Sequence, residues 1–165
     1  MKLEDFLQDY DKLIILGIGN ELRGDDALGP YFINLIESEL KDSFNEDKFT
    51  TKKNIILING GSAPENFTGL LKKEKPSHIL IIDAALMDSN PGTIKCIQED
   101  EIANINVSTH SMSLSYLIKY LKNDFDFELL FIGIEPFSMG LGEKLSPVII
   151  KSVNNVKKSI VSYLN

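Results

Sequence analysis

The chain has 165 residues, 43% of them hydrophobic and 25% charged, and a formal net charge of −7. These proportions suit a folded globular protein and exclude a disordered chain, a collagen-like fibre and a coiled coil. One cysteine, Cys96, excludes a disulfide framework and a four-thiolate zinc site within one chain. The acidic balance repels phosphate backbones, so nucleic acid is not an expected partner. Glu4, Asp5 and Asp9 interrupt the N-terminus, where a signal peptide needs an apolar stretch. No apolar run approaches the ~20 residues that span a bilayer. The expectation is one cytoplasmic domain, 1–165, with no membrane span.

Lys12 to Gly19 is a continuous apolar run ending in glycines, the pattern of a strand buried on both faces. Leu28, Phe32, Leu35, Ile36 and Leu40 then recur at helical spacing; Asp25 or Asp26 stands where an N-cap is wanted, and Pro30 falls in the first turn. Lys41 to Lys53 is polar and charged and reads as a mobile surface loop. A second strand runs from Asn54 to Asn59, closed by Gly60-Gly61, and a short helix follows around Pro64 to Leu71. His78 to Asp83 is a third strand. After the Asn90-Pro91-Gly92 turn, Thr93 to Gln98 alternates like a strand with one wetter face. Ser113 to Leu121 is a helix, Glu128 to Ile134 a fifth strand, and Leu145 to Leu164 an amphipathic C-terminal helix.

Strands alternating with helices predict an α/β domain with a mostly parallel sheet and helices on both faces. Sites in such sheets form outside the carboxyl ends of the strands. There the chain places Gly19-Asn20, Asn59-Gly60-Gly61 and Asp83. Gly17-Ile18-Gly19 is not a dinucleotide fingerprint, because Leu22 stands where the third glycine belongs and Asn59 where an acid should meet the ribose. Cys96, mid-strand, reads as a buried inert thiol. Ser62 has no base close in sequence. His78, at the far end of its strand, reads as a surface residue.

Gly24-Asp25-Asp26 carries one more acid than a helix cap requires. Asp83 ends an apolar strand, where a buried carboxylate is costly unless it binds or pairs with something. His110 precedes a helix. Asp26, Asp83 and His110 together form a donor set suited to a divalent first-row metal, the nitrogen favouring nickel, copper or zinc over magnesium. Three protein ligands leave positions open, as catalytic metal sites do.

These motifs resemble the hydrogenase maturation endopeptidases. The likeness rests on Gly17-Ile18-Gly19-Asn20, Gly24-Asp25-Asp26, Gly29-Pro30, Gly60-Gly61-Ser62-Ala63-Pro64-Glu65-Asn66, Ile82-Asp83-Ala84, Pro91-Gly92, Thr109-His110-Ser111-Met112 and Gly133-Ile134-Glu135-Pro136, in order from about Lys12 to the last helix. The Gly60 to Asn66 run is most similar to the branch serving formate-hydrogenlyase-type hydrogenase. The resemblance implies a three-layer α/β/α sandwich around a twisted, mostly parallel five-stranded sheet. It implies an endopeptidase that removes a C-terminal extension from the [NiFe]-hydrogenase large-subunit precursor after nickel insertion. Carried over residue by residue, the metal ligands are Asp26, Asp83 and His110, the nickel being the substrate's own, and no nucleotide is involved. The chain departs from many relatives at Asn59, where they carry Asp; Asn keeps an acceptor but loses the charge, so Asn59 is left out of the catalytic set. Asp25 and Glu65 are nearby acids, and neither is assigned as general base; an aspartic and a metallopeptidase mechanism both stay open. Two other readings are a non-catalytic nickel-sensing module docking on the same precursor, and a nucleotide-dependent oxidoreductase, which Leu22 and Asn59 disfavour.

Overall fold

The computed structural model describes residues 2–107 and 113–164, with the backbone alone for residues 106 and 107. In chain order the strands are β1 (Leu13–Ile18), β2 (Ile55–Gly61), β3 (His78–Leu86), β4 (Ile94–Gln98), β5 (Asn106–Val107) and β6 (Glu128–Ile134). The helices are α1 (Leu3–Gln8), α2 (Leu28–Glu39), α3 (Thr68–Glu74), α4 (Leu114–Lys122) and α5 (Pro147–Leu164). The sheet runs β2-β1-β3-β6-β4, parallel except for β4, which pairs antiparallel with β6. The two-residue β5 adds an antiparallel pairing to the end of β3. This is the expected mostly parallel, five-stranded sheet, with one short strand that periodicity did not announce.

The continuous apolar runs are explained by burial on two faces. Leu13 and Ile15 of β1, with Leu80, Ile82 and Ala84 of β3, pack against α1, α2 and α5. Ile14 and Leu16, with Ile79, Ile81 and Ala85, point the other way into a second core with α3 and α4. Successive side chains alternate across the sheet, so a strand covered on both sides must be apolar at every position. Each fully buried Leu, Ile or Phe contributes about 1.5–3 kcal/mol of transfer free energy.

Four expectations are corrected. His78 is buried, 6% exposed, because α1 brings Phe6 edge-on to its ring at 4.9 Å. Cys96 is exposed, because β4 is an edge strand that buries only Ile97. The stretch after α2 has its own structure: a 3-10 turn at Lys41–Ser43 and antiparallel bridges Phe44–Thr51 and Thr50–Ile56, with Thr51 buried. Finally, neither Asp25 nor Asp26 caps α2, whose N-cap is Ala27 with no side-chain hydrogen bond. Both lie in a separate 3-10 turn, Gly24–Ala27.

Candidate active site

The carboxyl ends of β1, β2, β3 and β6 open on one edge of the sheet, and the turn carrying the paired aspartates lies across that edge. Its closeness is set by two glycines. Gly19 has φ +147°, and a Cβ there would stand 1.7 Å from the Asp26 carbonyl oxygen. On Gly29 a Cβ would lie 2.2 Å from the Ile18 carbonyl oxygen and 2.7 Å from that of Ile82. Any side chain at either position would push α2 and its leading turn off the strand tips.

Asp26 is fully buried, and its Oδ2 accepts the Asn20 backbone N–H at 3.0 Å. Asp83 is fully buried too. It shares the sheet face of Ile81 and Ala85 and lies opposite Gly133 of β6. Asp83 follows the last β3 residue paired with β1, Ile82 opposite Gly17, and Asp26 lies in the turn that comes after β1. His110 lies outside the described residues, and among the described residues no three His, Cys, Asp or Glu side chains are grouped to hold a metal.

Asp25 has a different task from its neighbour. Its Oδ2 accepts the N–H groups of Phe137 (3.0 Å) and Ser138 (2.9 Å) and the Ser146 hydroxyl (2.8 Å). Its Oδ1 accepts the Ser146 N–H at 2.7 Å. The buried charge is thereby spread over four donors, and the loop between β6 and α5 is tied to the turn. Asp25 therefore holds loop geometry and does not cap α2.

Three more polar residues occupy the same edge. Asn59 is exposed, and its Oδ1 accepts the Gly61 N–H at 3.1 Å; the Gly61 carbonyl in turn accepts from Gly19 N–H at 2.8 Å. Glu65 is half-buried in the 3-10 turn Pro64–Phe67 that follows β2. Glu135 is an acid that the sequence motifs include but to which they give no role. It follows β6 directly, is 8% exposed and accepts the Met87 N–H at 2.6 Å, joining the ends of β6 and β3. The available signal was the one used for Asp83: an acid at the end of an apolar strand. A groove of about 580 Å³ lined by Gln98, Lys119, Lys122 and Glu128 lies at the other end of the sheet, and none of these acids lines it.

A parallel sheet covered on both faces, with buried carboxylates collected at its carboxyl edge, is the build of an α/β enzyme. The hydrogenase maturation protease (HycI) profile matches residues 34–163. A Hydrogenase 3 maturation protease of Escherichia coli is 35% identical over 144 residues, covering 87% of this chain and 85% of the relative. A Methanocaldococcus jannaschii relative is 50% identical over 135 residues, covering 81% and 78% respectively. The crystal structure of the [NiFe] hydrogenase maturation protease HycI from Thermococcus kodakarensis superposes with TM-score 0.79 at 30% identity, over 98% of this chain and 97% of that one. The chain belongs to the hydrogenase maturation protease family, whose chemistry is hydrolysis of a peptide bond.

Proposed function

We propose that this protein is the endopeptidase that removes the C-terminal extension from a nickel-loaded [NiFe]-hydrogenase large-subunit precursor in the cytoplasm. The observation that carries the reading is the pair of fully buried acids, Asp26 in the turn after β1 and Asp83 in the neighbouring parallel strand β3, in a chain matched by the family profile. Charges attract more strongly where water is excluded, so buried carboxylates favour a cation that reaches them. No described helix is long and apolar enough to cross a membrane.

In this reading Asp26, Asp83 and His110 meet the nickel carried by the precursor, and that ion is part of the substrate. Held there, that ion would supply Lewis acidity, which polarises a carbonyl or lowers the pKa of a water. Asn20 orients Asp26 through its backbone N–H, and Glu135 fixes the tip of β3 beyond Asp83. Asn59 is an amide, so no carboxylate base operates at that position. The test is mass spectrometry of the precursor before and after incubation, with and without nickel. Shortening of the nickel-loaded precursor alone is the expected result. Binding without shortening would establish a nickel-sensing module instead.

A further inference from the structure

Among the described residues the three most exposed large apolar side chains are Leu141 (77%), Phe137 (69%) and Leu22 (68%). They come from two loops far apart in sequence, yet those loops are hydrogen-bonded to each other and to the aspartate turn. Phe137 donates its own N–H to Asp25. Leu22 accepts, through its own carbonyl, the N–H of Gly142, the residue after Leu141, at 2.8 Å. Two further backbone bonds close the joint: Asp25 N–H to the Ser138 carbonyl (2.9 Å) and Gly24 N–H to the Glu143 carbonyl (3.2 Å). Within the later loop, Glu143 accepts from the Ser138 hydroxyl and from the Gly140 N–H.

Isolated exposed hydrophobics are normal on protein surfaces, but these stand on two loops joined by backbone hydrogen bonds beside the turn that carries Asp26. Nothing in the two cores requires them, since none belongs to either. Rigid apolar anchors reduce the ordering cost of binding, which is the construction expected where a partner chain is held.

We propose that Leu22, Phe137 and Leu141 form the seat for the precursor itself, gripping apolar side chains in the polypeptide that flanks its scissile bond. The proposal rests on the endopeptidase reading and specifies how that enzyme holds its substrate. Continuity with the acid edge selects this occupant over a second copy of the chain: a segment on the seat lies against the turn that carries Asp26.

The experiment compares the wild type with Phe137→Ser/Leu141→Ser and with Leu22→Asn, using nickel-loaded precursor. All three side chains are exposed, so melting temperatures should stay close to wild type. The double variant should raise KM about tenfold or more while leaving kcat unchanged. Titration of the precursor onto Asp26→Asn protein, with and without the seat substitutions, should show the same loss of affinity without cleavage. Unchanged KM and unchanged affinity would overturn the seat. So would a wild-type dimer that the double variant dissolves without altering KM. If the wild type leaves the precursor whole but binding still depends on the seat, the endopeptidase reading falls and the seat stands.

Discussion

The carboxylate of Asp25 holds Ser146 by both its backbone N–H and its hydroxyl, at 2.7 and 2.8 Å, across 121 residues of chain. Asp26, the next residue, turns its carboxylate back to Asn20 instead. Adjacent and equally buried, the two acids turn to different parts of the chain, and only Asp26 belongs to the proposed nickel-meeting set.

That division makes Asp25→Ala a stability variant. Three N–H groups and one hydroxyl would lose a charged acceptor, and hydrogen bonds to charged groups are worth about 1.5–3 kcal/mol each before relaxation and water entry reduce the total. Urea unfolding should show a loss of about 2–4 kcal/mol. Asp25→Asn should lose less, since it keeps one acceptor oxygen. Processing by either variant should recover on cooling, as the loop is held again.

Asp26→Asn and Asp83→Asn should behave the opposite way. Both positions are buried, so the isosteric amide tests the charge without opening a cavity. Circular dichroism should remain native while precursor processing falls by about 100-fold or more, at or beyond the cost of losing a ligand's supporting contact. His110→Ala should fall with them. Near-normal cleavage by any one variant would remove that residue from the site.

The third prediction concerns pH and lies at the opposite end of the sheet. Burial lowers the His78 pKa below its ordinary 6.5, while the negative charges of Glu128 and Asp9 pull it partly back. Glu128 is 3.5 Å from Nε2, and Ser77 Oγ is 2.9 Å from Nδ1. The unfolded chain therefore binds the proton at higher pH than the folded one. Stability is retained above about pH 6.5 and declines as the pH falls through that value toward the folded pKa. The urea midpoint should drop more between pH 7.5 and 5.5 in the wild type than in His78→Phe; equal drops would show that His78 is not the group responsible.

Asn59→Asp preserves the acceptor that Gly61 uses. The melting temperature should hardly move, whereas Asn59→Ala should cost about 1 kcal/mol for the lost bond. Single-turnover cleavage by Asn59→Asp should match the wild type. A large gain would mean that this edge works better with a further acid.

Chelators should leave the melting temperature unchanged, because the two buried cores supply the folding energy. Precursor without nickel should stay uncut even with excess free zinc. A stoichiometric zinc ion that co-purified, and whose removal stopped cleavage of nickel-loaded precursor, would assign the metal to the enzyme instead.

The sheet was legible because strands covered on both faces are apolar at every step, as in Leu13–Ile18 and in β6 from Leu129 to Ile134. Helix α1 was not: six residues with Leu3, Phe6 and Leu7 are too few to show a period. Missing α1 also hid the burial of His78, which α1 produces. The two residues of β5 carry no pattern at all. Asp26 and Asp83 could be picked by position relative to strand ends, a local property. The work of Asp25 could not, since its partners begin 112 residues later and lie in a loop without periodicity.

The seam at Gly19 and Gly29 has a mechanical consequence. Where α2 meets the tips of β1 and β3, backbone rests on backbone with no side chain between them. A joint of that kind has no rotamers to switch and no methyl groups to repack. The distance between the Asp26 backbone and the tip of β1 is therefore not adjustable by small, fast side-chain motions. Widening it would mean lifting the start of α2 as a body, a collective movement belonging to the microsecond-to-millisecond range. The seat of the aspartate turn on the sheet is accordingly set when the chain folds.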